Sequence, residues 1–361
     1  MLKRSSLNWG AALSAAALVL TLGATAPADA SPATKAFARA GHWLEAQLTG
    51  GLIHNDQYGF DDYGLTADTA FALEALGGHA DALTQIGDAL GQHVDSWTTG
   101  ADFGSSDVYA GSVAKAAVLA RTVGGDPRSF GGVDLIDRLN GLVATQAPIK
   151  GRIQDDSATD YANVIGQAFA VRALGRAHTA TYPSVRGFFL KQQCKAGYFR
   201  LNFAPADAPK QGCTAASDPD TDVTALAILS LDALPAAERR TDAVRGAVRD
   251  AVAWLKGQQK KSGAFGGGTS TKGANTNSTG LAGWAFAESG KCGAAVKAAT
   301  WVRKLQVTDQ VTGERGGIAY DRAGFDAAVR HGSITKANRD QWRRATTQAA
   351  PALLASSLGA C

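Results

Sequence analysis

The clearest unit of this chain begins Trp254-Leu255-Lys256-Gly257-Gln258-Gln259, continues with Gly263-Ala264-Phe265 and ends Thr279-Gly280-Leu281-Ala282-Gly283-Trp284-Ala285-Phe286. A segment with a large residue and a Gln gives way to a Gly-aromatic turn and then to an Ala-rich apolar helix. Related units occur six times. Because a two-helix unit buries its apolar faces only against copies of itself, the pattern predicts a helical array rather than a conventional single-core domain.

The copies align at three positions. The outer segments run from Trp43 to Gln47, Leu142 to Gln146, Phe189 to Gln193, Trp254 to Gln258 and Trp301 to Gln306, with a degenerate copy around Ile86 to Trp97. The turns carry Gly59, Gly151, Gly197, Gly263 and Gly317. The inner segments align on Thr69, Ala116, Gln167, Thr224, Thr279 and Gln348. We therefore predict an all-α fold with an inner and an outer ring of helices and no sizeable sheet.

The first thirty residues have the features of an export signal. Lys3 and Arg4 precede an apolar run over residues 11–22, and Ala28-Asp29-Ala30 fits a small-x-small cleavage pattern. We predict a signal peptide over 1-30, a single α/α domain over 31-361, and secretion. The apolar run is shorter than the roughly 20 residues that span a bilayer, so no membrane span is expected. The net charge of +4 is too small to indicate nucleic-acid binding.

Four cysteines are present, which suits disulfides in an exported chain. Three pairings are possible, and we favour Cys194 with Cys213 and Cys292 with Cys361 because each closes a loop within one repeat or across the ends of the array. No CxxC spacing occurs, and the six histidines show no ligand spacing. The sequence therefore predicts no metal site, and it identifies no cofactor.

The turns carry a resemblance to a known family. Gln193-x3-Gly197-x-Phe199 and Gln259-x3-Gly263-x-Phe265 resemble the Gln-x3-Gly-x-Trp signature of the prenyltransferase and squalene-cyclase repeat family, with Phe in place of Trp. The resemblance covers about residues 36–358 and implies an α6/α6 toroid. It does not imply one function, because similar toroids occur in protein prenyltransferase subunits, class II terpene cyclases and secreted corrinoid-binding proteins.

Acidic residues recur where the inner helices begin. We predict that this mouth binds a small ligand, through Asp68, Asp107, Asp160, Asp222 and Asn275 with Tyr63, Tyr109 and Tyr161. The alternative interpretation is helix capping, since Asp and Asn accept hydrogen bonds from the free amides of a first turn. The adjacent pairs Asp61-Asp62 and Asp155-Asp156 leave a glycan hydrolase or lyase open.

One short motif suggests a reaction. Asp220-Thr221-Asp222-Val223-Thr224-Ala225 resembles the Asp-x-Asp-Asp-Thr-Ala motif of class II terpene cyclases, which implies Asp222 as general acid and Asp220 as its partner. Val223 replaces the last Asp of that motif. We therefore favour a secreted, monomeric toroid that binds a small molecule without catalysis. A cyclase-type enzyme is the alternative, and a surface protein that uses its acidic rim for protein contacts is a third.

Overall fold

A computed structural model describes residues 32–356. Its helices are α1 (Pro32–Glu45), α2 (Tyr63–Leu76), α3 (Ala80–Gln92), α4 (Val94–Thr98), α5 (Ala110–Thr122), α6 (Leu135–Gly141), α7 (Val164–Arg176), α8 (Tyr182–Leu190), α9 (Thr221–Asp232), α10 (Ala236–Arg239), α11 (Asp242–Gln258), α12 (Thr276–Glu288), α13 (Cys292–Arg303), α14 (Arg322–His331) and α15 (Lys336–Ala349). Two 3-10 helices span Ala101–Phe103 and Ala350–Ser356. The short strands β1 (Leu48–Thr49), β2 (Leu52–Asn55) and β3 (Phe60–Asp61) form an antiparallel sheet.

Six inner helices form a closed ring. Each contacts the next in the order α2, α5, α7, α9, α12 and α15, and α15 returns to α2. The outer helices α1, α3, α6, α8, α11 and α13 each pack against one or two members of that ring. This arrangement confirms the predicted α6/α6 toroid, in which the only sheet among residues 32–356 is the small one near its first turn.

Small residues let the last inner helices approach closely. A Cβ atom added to Gly280 would lie 2.3 Å from the Cα of Ala349, and one on Gly283 would lie 2.9 Å from the Cβ of Ala298. Glycine inside a helix costs about 1 kcal/mol relative to alanine. Close packing of α12 against its neighbours accounts for both glycines.

The signature glutamines join neighbouring repeats. The amide of Gln259 donates to Gly263 O in its own turn (3.1 Å) and to Ala294 O on the next outer helix (3.0 Å). Gln193 bridges its own turn to α11 in the same way. Gln306 donates to Gly316 O (3.1 Å) and to Ala36 O (2.9 Å), which ties the last repeat to the first. These side chains are structural ties between repeats.

A second repeated hydrogen bond seats each turn on its inner helix. In five repeats, a loop amide donates to a Thr or Gln side chain of the inner helix, in the first turns of α2, α7, α9 and α12 and in the last turn of α15: Ile53 to Thr66, Ile153 to Gln167, Phe199 to Thr224, Phe265 to Thr279 and Ile318 to Thr346. The equivalent residues in the first and last repeats are thus Thr66 and Thr346, where the sequence alignment had Thr69 and Gln348. The alignment misplaced them because it matched Ala-rich composition, whereas this hydrogen bond fixes the register.

The structure contains the predicted Cys194–Cys213 disulfide, with its Cα atoms 5.0 Å apart. It closes the base of the long loop between α8 and α9. Cys361, the predicted partner of Cys292, and the signal peptide over 1-30 lie outside the described residues. Within residues 32–356, no helix has the length and apolar character that crossing a membrane requires.

Candidate functional site

Side chains cap most of the inner helices at the acidic mouth. Asp62 accepts from Leu65 N, Asn163 accepts from two amides of α7, and Asp220 Oδ1 accepts from Asp222 N and Val223 N. Asn275 is buried, accepts from Ser278 N and donates to Thr271 O and Gly273 O. Capping therefore occupies several of these side chains.

The remaining mouth candidates lie at or just before the starts of α2, α5 and α7. Asp160 pairs with Arg152 at 2.5 Å and also accepts two loop amides, while Tyr161 is 73% exposed. Tyr63 stacks on His93. The other two, Asp107 and Tyr109, flank Val108, whose backbone bridges to Asp156 in the loop that carries Asp160 and Tyr161. The joint role of these five side chains in binding a ligand stays a prediction.

The adjacent acid pairs are also engaged. Asp61 contacts His54 Nδ1 at 2.7 Å, and Asp62 pairs with Arg344. Asp155 accepts from Ala110 N and Tyr161 N, and the backbone of Asp156 bridges to Val108. Among the described residues, no three His, Cys, Asp or Glu side chains are grouped as a metal site would require.

Asp222 has the most unusual environment at this mouth. Its Oδ1 is buried and has no hydrogen-bond partner. A Cβ atom on Gly267 would lie 2.9 Å from Asp222 Oδ2 and 2.9 Å from Ser278 Oγ, so the Gly266-Gly267-Gly268 loop covers the carboxyl. Burial, with a smaller contribution from the charge of Asp220, raises the pKa of Asp222 to about 6. The Ser278 hydroxyl opposes that shift although its Oγ makes no hydrogen bond of normal geometry.

Asp222→Asn is expected to change how stability depends on pH. The folded pKa of about 6 lies above the reference value, so the folded chain holds the proton more tightly and stability falls as pH rises from about 4 through 6. An asparagine side chain does not titrate, so the variant does not lose stability in this way. The free energy of unfolding of Asp222→Asn, relative to that of the wild type, should rise by about 2 kcal/mol between pH 4 and pH 7. Urea unfolding at four pH values measures it, with the exposed Asp218→Asn as control. Parallel profiles for wild type and Asp222→Asn would contradict the argument.

A different site lies at the centre of the ring. A cavity of about 220 Å³ is lined by all six inner helices, through Asp68, Phe71 and Ala72 of α2, Lys115 of α5, Ile165, Phe169 and Arg172 of α7, Leu226, Leu229 and Ser230 of α9, Leu281 and Trp284 of α12, and Thr347 and Gln348 of α15. Of the residues predicted from sequence, only Asp68 is on this wall. Asp222 lies one helical turn before Leu226 and is not on it.

The cavity wall is mainly apolar with a few charges. Phe71 and Phe169 stack with centroids 5.8 Å apart, and Trp284 and leucines of α9 and α12 also line the wall. Asp68 pairs with Lys115 Nζ at 2.7 Å, and Lys115 also lies 6.0 Å from the Phe169 ring. Such an apolar wall with few polar groups is typical of small-molecule sites.

Comparisons with known proteins show the fold. No family model and no curated protein sequence matches this chain. Among solved structures, the type II terpene cyclase MstE from Scytonema is 16% identical, covers 90% of this chain and 98% of its own, and superposes with a TM-score of 0.62. The ent-copalyl diphosphate synthase from Streptomyces platensis is 15% identical over 82% of this chain and 50% of its own (TM-score 0.52). An unsaturated glucuronyl hydrolase specific for heparin is 10% identical over 90% and 96% (TM-score 0.57).

Proposed function

We propose that this chain is a secreted protein that binds a small, largely apolar molecule in its central cavity without transforming it. The observation that carries the proposal is the cavity itself, which all six inner helices build and aromatic and leucine side chains line. Asp222, the candidate general acid of the mouth, lies beneath Gly267 and does not line that cavity. A molecule bound in the cavity would therefore not contact the carboxyl group of Asp222, whose pKa is raised.

The volume limits the ligand. Cavities for drug-sized molecules are usually about 300–1,000 Å³, and an apolar cavity of about 150 Å³ accepts benzene. At about 220 Å³, this cavity suits one aromatic ring with a short substituent, or an aliphatic chain of similar size. Geranylgeranyl dihydroxybenzoate, with which a variant of MstE was solved, is a far larger molecule.

Cyclase chemistry is the second candidate, and Asp222 is the observation that favours it. A carboxyl group with a pKa near 6 and an unpartnered Oδ1 could donate a proton to an alkene, with Asp220 beside it. Val223 leaves the motif one carboxylate short. Turnover of a polyprenyl substrate that Asp222→Asn abolishes while the fold is kept would establish this candidate and refute binding without catalysis.

Native mass spectrometry of the purified, non-reduced protein is the first test of binding, because a molecule that leaves on denaturation is detected directly. Titration calorimetry with indole and phenylacetate then tests the location. Leu226→Trp fills the cavity and should weaken both probes at least tenfold, whereas the partly exposed Val296→Trp should leave their affinities unchanged. Equal binding by Leu226→Trp and wild type, or no binding of any probe, would contradict the proposal.

A further inference from the structure

Arg172 is the charged group of the cavity that has no partner. It lies in the second half of α7 and lines both the central cavity and a hollow of about 170 Å³ that also includes Glu74, Arg121 and Arg176. The side chain is partly exposed, and its desolvation lowers its pKa while the charge of Glu74 opposes that shift. Within residues 32–356, its guanidinium makes no hydrogen bond, ion pair or cation–π contact.

The neighbouring charged residues do not form an ion pair with Arg172. Asp68 and Lys115, the other charged residues on the cavity wall, neutralise each other. Arg121 and Arg176 occupy the last turns of α5 and α7, where an exposed cation stabilises the carboxyl end of a helix. Arg172 lies one turn before Arg176 and is less exposed, so its charge is less well solvated than that of Arg176.

We propose that Arg172 binds the carboxylate of a ligand whose apolar part fills the central cavity, an inference that rests on the proposed function. The planar guanidinium offers two parallel donors to a carboxylate, and an ion pair in this setting would remove the uncompensated charge. A phosphate monoester carries close to two charges at neutral pH, and this wall supplies only one free cation. The ligand class is thus a small monocarboxylic acid with one aromatic ring or a short aliphatic body.

Paired probes test the charge separately from the cavity. Phenylacetate and phenylacetamide have nearly the same shape and differ in charge. In the wild type we expect calorimetry to give phenylacetate at least a tenfold lower Kd than phenylacetamide. Arg172→Gln should remove that preference and keep phenylacetamide binding, and Arg172→Lys should restore part of it. Arg176→Gln, a change of the same charge in the exposed last turn of α7, should keep the full preference.

The outcomes separate the two proposals. If phenylacetamide and phenylacetate bind the wild type equally, or if Arg172→Gln keeps the preference, the carboxylate inference is wrong while cavity binding stands. If neither probe binds the wild type, both proposals fail. The melting temperature of the ligand-free protein is an independent test. Arg172→Gln should melt at or above the wild-type temperature because it removes a partly desolvated charge that has no ion-pair partner among the described residues, and a lower melting temperature would show that Arg172 supports the fold instead.

Discussion

Replacing Gly316 with Ala is expected to lower the free energy of unfolding by about 3–5 kcal/mol, because a strained backbone and a clash act together. Gly316 has φ 109°, a conformation that residues with a side chain rarely adopt. Its added Cβ would lie 2.0 Å from Arg39 O and 3.1 Å from the Cβ of Trp43, both on the first outer helix. Either the turn or α1 must move, at the point where Gln306 joins the last repeat to the first.

Gly313→Ala is the matched control, three residues earlier in the same loop. Gly313 has φ 77°, but an added Cβ would meet nothing within 4 Å. Gly313→Ala should lower the free energy of unfolding by only about 1 kcal/mol, which is the cost of the backbone conformation alone. Urea unfolding of both variants measures the difference. Equal losses would mean that the contact with α1 contributes nothing and that the ends of the ring are loosely joined.

This contact also shows how far the sequence could predict the fold. The glycine of three turns, Gly151, Gly197 and Gly263, was identified correctly, and each has positive φ and packs on a backbone carbonyl of the next outer helix. In the first and last repeats, the packed glycines are Gly51 and Gly316, while the sequence pattern indicated Gly59 and Gly317. In the first repeat, Gln47-x3-Gly51-x-Ile53 keeps the signature spacing, so the sequence did carry the signal for Gly51. In the last repeat, ten positions separate Gln306 from Gly316, and only the contact with the α1 backbone distinguishes Gly316 from Gly317.

The site was less predictable, for a physical reason. Acids at helix starts satisfy free amides whether or not a ligand binds, so their recurrence alone does not distinguish a binding site from helix capping. The cavity depends on ring closure, which places single residues from six separated helices on one wall. One signal was present in the sequence: Arg172 is a charged residue on the face of α7 that Ile165 and Phe169 make apolar, at spacings of four and three residues.

Glu314→Ala is expected to destabilise the protein by about 3–5 kcal/mol, since it removes one partner of a buried ion pair and leaves the other uncompensated. Glu314 is only 8% exposed. It accepts from Trp43 Nε1 at 2.9 Å and from both terminal nitrogens of Arg339 at 2.7 and 2.6 Å. One carboxylate thus joins the last long loop to α1 and to α15.

Asp309→Ala removes a carboxylate from the same loop and is the control. Its contact with Arg315 spans 3.7 Å between two exposed side chains, so the expected loss is below about 0.5 kcal/mol. The loss of stability in Glu314→Gln should lie between those of Glu314→Ala and Asp309→Ala, because its amide oxygen still accepts from Trp43 while the charge that pairs with Arg339 is gone. If Glu314→Ala is no worse than Asp309→Ala in urea, the carboxylate does not hold the two ends of the chain together. The hydrogen bonds of Gln306 and the packing of Gly316 would then be the interactions that close the ring.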